Sequence, residues 1–406
     1  MTLNYARFPR DTELDDQRRE RALLARRPML GYLEHHEHLL LGSLSVRVTA
    51  APPAPEPESA PEAPAAPEMP DADRARHMAR VFEPTAIIEA RELLGAPTKT
   101  DSKRDSAALS RSSAALERAA HDDGWRSVPW AGPMEVVDPF TGMGPEFANF
   151  SEVLAHLRVQ WTLARRAHRA SEGRIDPILL LGPPGVGKSY FAASIADLIG
   201  ERMAVFSAGG AQDAMQLCGS DARWSNTRPG IVFDLLSAGD SAAPVLVIDE
   251  IDKFAPESGA NRDTPVHTLL DLLEPDSARR YRDMSLQLEM DASRMIVVCT
   301  ANDRERIAPP LLSRLTEFHI APPTTDQRRT ILEGYLAALL EAHECPANMT
   351  LDSASAEAAL ATPDLDIRAL LRMVRTGFAA ALAAESDRVT LSPPRRGPVR
   401  QRIGFV

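Results

Sequence analysis

The chain has 406 residues, a formal net charge of −11 and three cysteines. It is long enough for two or three domains with a buried core, while its acidity argues against general affinity for nucleic acid or an anionic membrane. Cys218, Cys299 and Cys345 form no C-x-x-C pair, which excludes a zinc ribbon or a disulfide framework and suits a reducing cytosol. Met1 to Arg27 lacks the apolar core of a secretory signal, and no run reaches the roughly 18 apolar residues of a membrane span, so the expected location is cytoplasmic.

Residues 1–50 form an N-terminal segment of uncertain structure. Its Glu34-His35-His36-Glu37-His38 run lacks metal-site spacing and reads as a solvated polar stretch. Residues 51–75 are rich in Pro, Ala and Glu and read as a disordered, polyproline-like linker. At about 3.1 Å per residue, its proline-rich part could hold the flanks some 60 Å apart. Residues 76–145 read as a weakly helical, partly ordered segment. A helix is predicted over 78–98 between Pro84 and Gly95, and at best a weak one over 101–123. Packing is expected to resume near Trp125, Trp130 and Phe140. From 146 to 322 a helix over about 151–170 is followed by alternating strands and helices, the pattern of a parallel sheet covered on both faces. Residues 323–391 turn Ala/Leu-rich and read as a small all-helical domain, with a tail over 392–406.

The α/β region carries its own chemistry. The strand Ile178-Leu179-Leu180-Leu181 runs directly into Gly182-Pro183-Pro184-Gly185-Val186-Gly187-Lys188-Ser189, a complete G-x-x-x-x-G-K-[ST] phosphate loop followed by a helical pattern from Tyr190. Such a loop turns backbone N–H groups and a helix N-terminus toward a polyphosphate. Lys188 would neutralise the β- and γ-phosphates and Ser189 would hold Mg²⁺. The nucleotide-contacting set is therefore Gly182 to Tyr190 together with Asp249. A second apolar strand, Val245-Leu246-Val247-Ile248, delivers Asp249 and Glu250 to the crevice where open α/β sheets bind ligands. There Asp249 would assist Mg²⁺, and Glu250 would polarise a water for attack on the γ-phosphate. A third strand, Met295 to Thr300, carries Asn302 to the same edge.

These residues resemble the AAA+ ATPases, and among them the ATPase module of Lon-type proteases. The resemblance covers roughly residues 150–380. It rests on Asp249-Glu250-Ile251-Asp252-Lys253, Leu269 to Asp276 and Thr300-Ala301-Asn302, in Lon order and spacing. It implies a P-loop AAA+ large domain followed by a small helical lid domain, and ATP as the nucleotide. Asn302 would be the sensor-1 residue and Arg314 an arginine finger acting on a neighbouring subunit's nucleotide. Arg368 would be the sensor-2 arginine, although Asp366 stands where the family has Gly. Trp224 falls on the aromatic position of the Lon pore loop, with Ser225 in place of its aliphatic partner.

No proteolytic domain is expected after the small domain. The expected function is an ATP-hydrolysing ring, a hexamer by resemblance, that remodels or unfolds protein partners. Residues 1–145 would recruit a client or adaptor, with no membrane or nucleic-acid partner. The rival expectation is a nucleotide-gated assembly switch or scaffold with slow hydrolysis and no threading.

Overall fold

A computed structural model describes residues 74–75, 77–95, 106–131, 138–143, 145–169, 172–209, 215–221, 227–254, 265–345, 348–362 and 365–392. The 34–38 histidine run, the proline-rich stretch 51–70, Trp224 and Ser225, and residues 393–406 lie outside the described residues.

Among the described residues the first named elements are strand β1 (Met78–Arg80) and helix α1 (Pro84–Gly95). The helix lies within 78–98 and starts at Pro84, as the sequence indicates, and residues 78–80 ahead of it form a strand. They pair antiparallel with β2 (Trp125–Ser127). Between them α2 (Ser106–Ala120) is a four-turn helix where the sequence promised little. Packing supplies what propensity does not: Ala115, Leu116 and Ala119 of α2 are buried, as are Ile87 and Ala90 of α1.

Arg126 shows how firmly this segment docks. Its side chain is buried and meets no carboxylate at bonding distance among the described residues, and backbone carbonyls solvate the charge. Nη1 donates to the carbonyls of His121 and Trp125, both at 2.8 Å, Nη2 to Arg118 at 2.9 Å and Nε to Leu236 at 3.3 Å. Burial lowers its pKa, with Asp240 and Asp122 acting in the opposite sense. Phe82 meets Phe233 edge-on at 5.8 Å, and Asp291 donates its N–H to the Val81 carbonyl at 2.8 Å. The described residues within 77–131 therefore share one hydrophobic core with the α/β region.

Helix α3 (Ser151–Arg165) follows, with Trp161 edge-on to both Trp130 and Phe140. The sheet region then runs through β3 (Ile178–Leu181), α4 (Lys188–Ile199), β4 (Met203–Ser207), α5 (Ile231–Ser237), β5 (Val245–Asp249) and α6 (Pro265–Leu273). A short hairpin, β6 (Tyr281–Asp283) and β7 (Leu288–Met290), precedes β8 (Ile296–Ala301) and β9 (Thr316–His319). Five parallel strands form the sheet in the order β4-β5-β8-β3-β9. The three central strands are buried almost throughout, which is why they read as continuous apolar runs.

The small domain holds α7 (Thr325–Ala342), α8 (Ser353–Leu360) and α9 (Ile367–Ala383) around a separate core. Thr324 and Gln327 make a reciprocal capping box at the start of α7. The domain is not purely helical, because β10 (Thr350–Leu351) and β11 (Arg388–Val389) pair in parallel. Tyr190 packs against both cores. No helix among the described residues is long and apolar enough to cross a membrane.

Candidate nucleotide site

Strand register brings the predicted residues together. β3, β5 and β8 are parallel, so their C-terminal tips open on one edge. Pairing of Ile248 with Cys299 sets Asp249 beside Thr300, and pairing of Leu181 with Ala301 sets the phosphate loop beside Asn302. The turn from β3 into α4 needs backbone conformations that L side chains avoid: φ is 82° at Gly185 and 98° at Gly187.

Lys188 is buried, and its ammonium finds acceptors within the protein. Nζ donates to the carbonyls of Gly182 (2.8 Å) and Pro183 (3.0 Å) and to Asn302 Oδ1 (2.8 Å). An ammonium has three donors, so all are engaged before any phosphate arrives. Burial lowers the Lys188 pKa, Asp249 and Asp252 oppose this, and the positive charge of Arg368 adds to the lowering. A polyphosphate would exchange these bonds for charge-assisted ones and release Asn302 in the same event.

Asp249, Ser189, Thr300 and Glu250 form a second cluster. Ser189 Oγ donates to Asp249 Oδ1 at 3.0 Å, and Thr300 Oγ1 donates to the same oxygen. Thr300 Oγ1 also accepts the Glu250 N–H at 3.0 Å. Glu250 sits at φ 57°, a left-handed conformation that costs a non-glycine residue about 1 kcal/mol or more. The Thr300 bond helps hold it there. The donor set fits Mg²⁺: hydroxyl and carboxylate are hard oxygen ligands, and their 3.0 Å separation matches neighbouring ligands on an octahedron with bonds of about 2.0–2.1 Å.

Asn302 is fixed from behind by Asp252, whose side chain is buried. Asp252 Oδ2 accepts the N–H groups of Asn302 (3.3 Å) and Asp303 (3.2 Å).

The opposite wall comes from the small domain and the segment before α3. An open cleft of about 1030 Å³ is lined there by Phe147, Asn149, Phe150, Ile331, Ile367 and Leu371, with Arg368 among them. The rings of Phe147 and Tyr190 stack with centroids 5.4 Å apart and planes at 20°. This apolar slot suits a flat base. Asn149 Nδ2 donates to the carbonyls of Ala321 (3.2 Å) and Val186 (3.4 Å), which fixes its amide at the rim.

Sequence reasoning missed Thr300, Asp252, Asn149, Phe147 and Phe150 as parts of the site, while Tyr190 was in the expected set. Thr300 carried a usable signal, since it is a hydroxyl at the end of an otherwise apolar strand. Phe147 and Phe150 carried none, because they lie well before the phosphate loop in the chain and nothing local ties them to it. Arg314 is not among the cleft residues. Its Nε meets Glu274 Oε2 at 3.2 Å, and its Nη1 donates to the Pro310 carbonyl at 3.0 Å. Trp224 lies outside the described residues, and the neck of its loop is closed by Ser220 and Arg228.

Residues 178–322 match the model of the AAA family, the ATPase family associated with various cellular activities. This part of the chain matches the AAA ATPases and is similar to the ATPase module of Lon-type proteases. A mitochondrial Lon protease homolog of Phaeodactylum tricornutum is 32% identical over 231 residues, covering 54% of this chain and 26% of that protein. A mitochondrial Lon protease homolog of Zea mays is 37% identical over 166 residues, covering 41% of this chain and 17% of that protein. The chain thus spans about a quarter or less of the curated relatives it matches. Among solved structures, a point mutant of Thermotoga maritima RuvB aligns at TM-score 0.43 and 16% identity, covering 63% of this chain and 70% of that one.

Proposed function

We propose that this chain binds and hydrolyses Mg²⁺-ATP and uses the energy to remodel or unfold protein partners as a ring oligomer in the cytoplasm. The observation that carries hydrolysis is the cluster at the strand tips. Lys188, Ser189, Asp249, Thr300, Glu250 and Asn302 converge where a γ-phosphate would lie against the phosphate loop. Lys188 leaves the loop carbonyls for the phosphates. Asn302, released from Lys188, orients the attacking water beside Glu250, which polarises it. Bound Mg²⁺ would be held through Ser189 and Asp249 and would draw charge from the phosphate oxygens. Arg314, poised on Glu274, would reach the nucleotide of a neighbouring copy, which makes turnover depend on assembly. Lon proteases and the aromatic Trp224 support a threading motor whose clients enter through the N-terminal region.

The decisive experiment is Glu250→Gln, which should abolish ATP turnover while ATP stays bound. Unchanged turnover would refute the role given to Glu250. Ser225, a polar residue beside Trp224, favours a second reading, an assembly switch without threading. Trp224→Ala separates the two: a motor loses client remodelling while keeping ATPase activity, and a switch keeps its function.

A further inference from the structure

Asp366 is the N-cap of α9, where Oδ1 accepts the Ala369 N–H at 2.6 Å. The same side chain lies against the phosphate loop. A Cβ built on Gly185 would stand 3.0 Å from Asp366 Cβ and 3.5 Å from Oδ2. A side chain at Gly185 would crowd Asp366, so glycine there eases the approach. The next turn of α9 supplies Ile367, Arg368 and Leu371 to the cleft wall, so this helix end faces the site a polyphosphate would occupy.

The electrostatics of that helix end are mixed. Its unbonded N–H groups and partial positive charge would favour an anion. Asp366 already satisfies one of those donors and adds a full negative charge beside the loop. Arg368, two residues on, carries the opposite sign and is close enough to act on Lys188. The lid therefore sets an attractive charge, Arg368, in the cleft wall and a repulsive one, Asp366, against Gly185 on the flank of the loop.

Resting on the nucleotide site proposed above, we propose that Asp366 sets nucleotide affinity. Its carboxylate opposes the phosphates when the lid is down and so hastens loss of ADP. The residue is affinity-limiting, whereas Arg368 is affinity-raising.

The test compares ADP binding, with Mg²⁺, to the full wild-type chain and to Asp366→Asn. Asparagine caps a helix as well as aspartate does, so the variant removes the charge and keeps the cap. The Kd for ADP should fall about threefold or more, the scale of one partly exposed charge at a helix end, through slower dissociation. The gap should narrow as salt is raised. Asp352→Asn serves as control: Asp352 caps α8 by accepting the Ser355 N–H at 3.0 Å and, unlike Asp366, is not the neighbour of Gly185 in the phosphate loop. It should leave ADP affinity unchanged. Equal or weaker ADP binding by Asp366→Asn, or a gap independent of salt, would overturn the inference while the site stands. A wild-type chain that binds no ADP would remove both.

Discussion

The two walls of the cleft are built differently. The sheet wall is buried at Lys188 and Thr300 and half-buried at Ser189 and Asp249, and its polar groups are bonded to one another: Lys188 to three acceptors, and Asp249 to Ser189 and Thr300. The lid wall meets the same space with exposed Arg368 and with apolar residues of α7 and α9, while exposed Asp366 stands against Gly185 of the phosphate loop. Buried, mutually bonded groups hold a fixed geometry, which chemistry requires. Exposed charges on a separately cored domain are screened and free to be repositioned. The sheet wall should therefore govern whether reaction occurs, and the lid how tightly and how long nucleotide stays.

That division predicts graded effects. Lys188→Ala removes the main phosphate contact and should weaken ATP affinity at least about a hundredfold, since bonds to charged groups are worth about 1.5–3 kcal/mol each. Equilibrium titration with a fluorescent ATP analogue would read it. Thr300→Val leaves Asp249 one donor short and frees the Glu250 N–H. We expect turnover to fall about tenfold, with ATP affinity changed less; an affinity loss exceeding the turnover loss would break the division. On the lid, Arg368→Ala should weaken ATP about fivefold, opposite in sign to Asp366→Asn, and both effects should shrink in high salt.

The smallest effect lies outside the cleft, at Asp234 of α5. Burial raises its carboxyl pKa to about 6, with Arg118 acting in the opposite sense. Because the folded-state pKa lies above the unfolded one, the folded chain holds the extra proton between about pH 4 and 6. This group's contribution to stability therefore falls as pH rises through that window. Asp234→Asn should remove that slope, visible as a wild-type-minus-variant difference in melting temperature that declines from pH 4 to 6. A flat difference would mean the ionised form is as well accommodated as the neutral one.

What the sequence disclosed follows from the range of the interactions involved. The phosphate loop is a contiguous string whose glycines, lysine and serine are each demanded by local geometry. Asp249 and Asn302 announce themselves as polar ends of apolar strands. By contrast, α2 exists because Leu116 and Ala119 pack into a core completed over a hundred residues later, and Arg126 is satisfied in part by Leu236. No local pattern reports such contacts. The strands β6 and β7 have three residues each, too few for an alternating pattern to register. Asp366 was visible as a carboxylate near Arg368, but its approach to Gly185 needed the fold of both domains.

Steady-state ATP hydrolysis by the wild-type chain and by Glu250→Gln, measured beside ATP binding to each, tests the central claim most directly. The account predicts Mg²⁺-dependent hydrolysis by the wild type, and in the variant a fall in turnover of about a hundredfold or more, the usual weight of a general base, at near-unchanged ATP affinity. Equal turnover by the two chains, or ATP bound by the wild type but never hydrolysed, would contradict it.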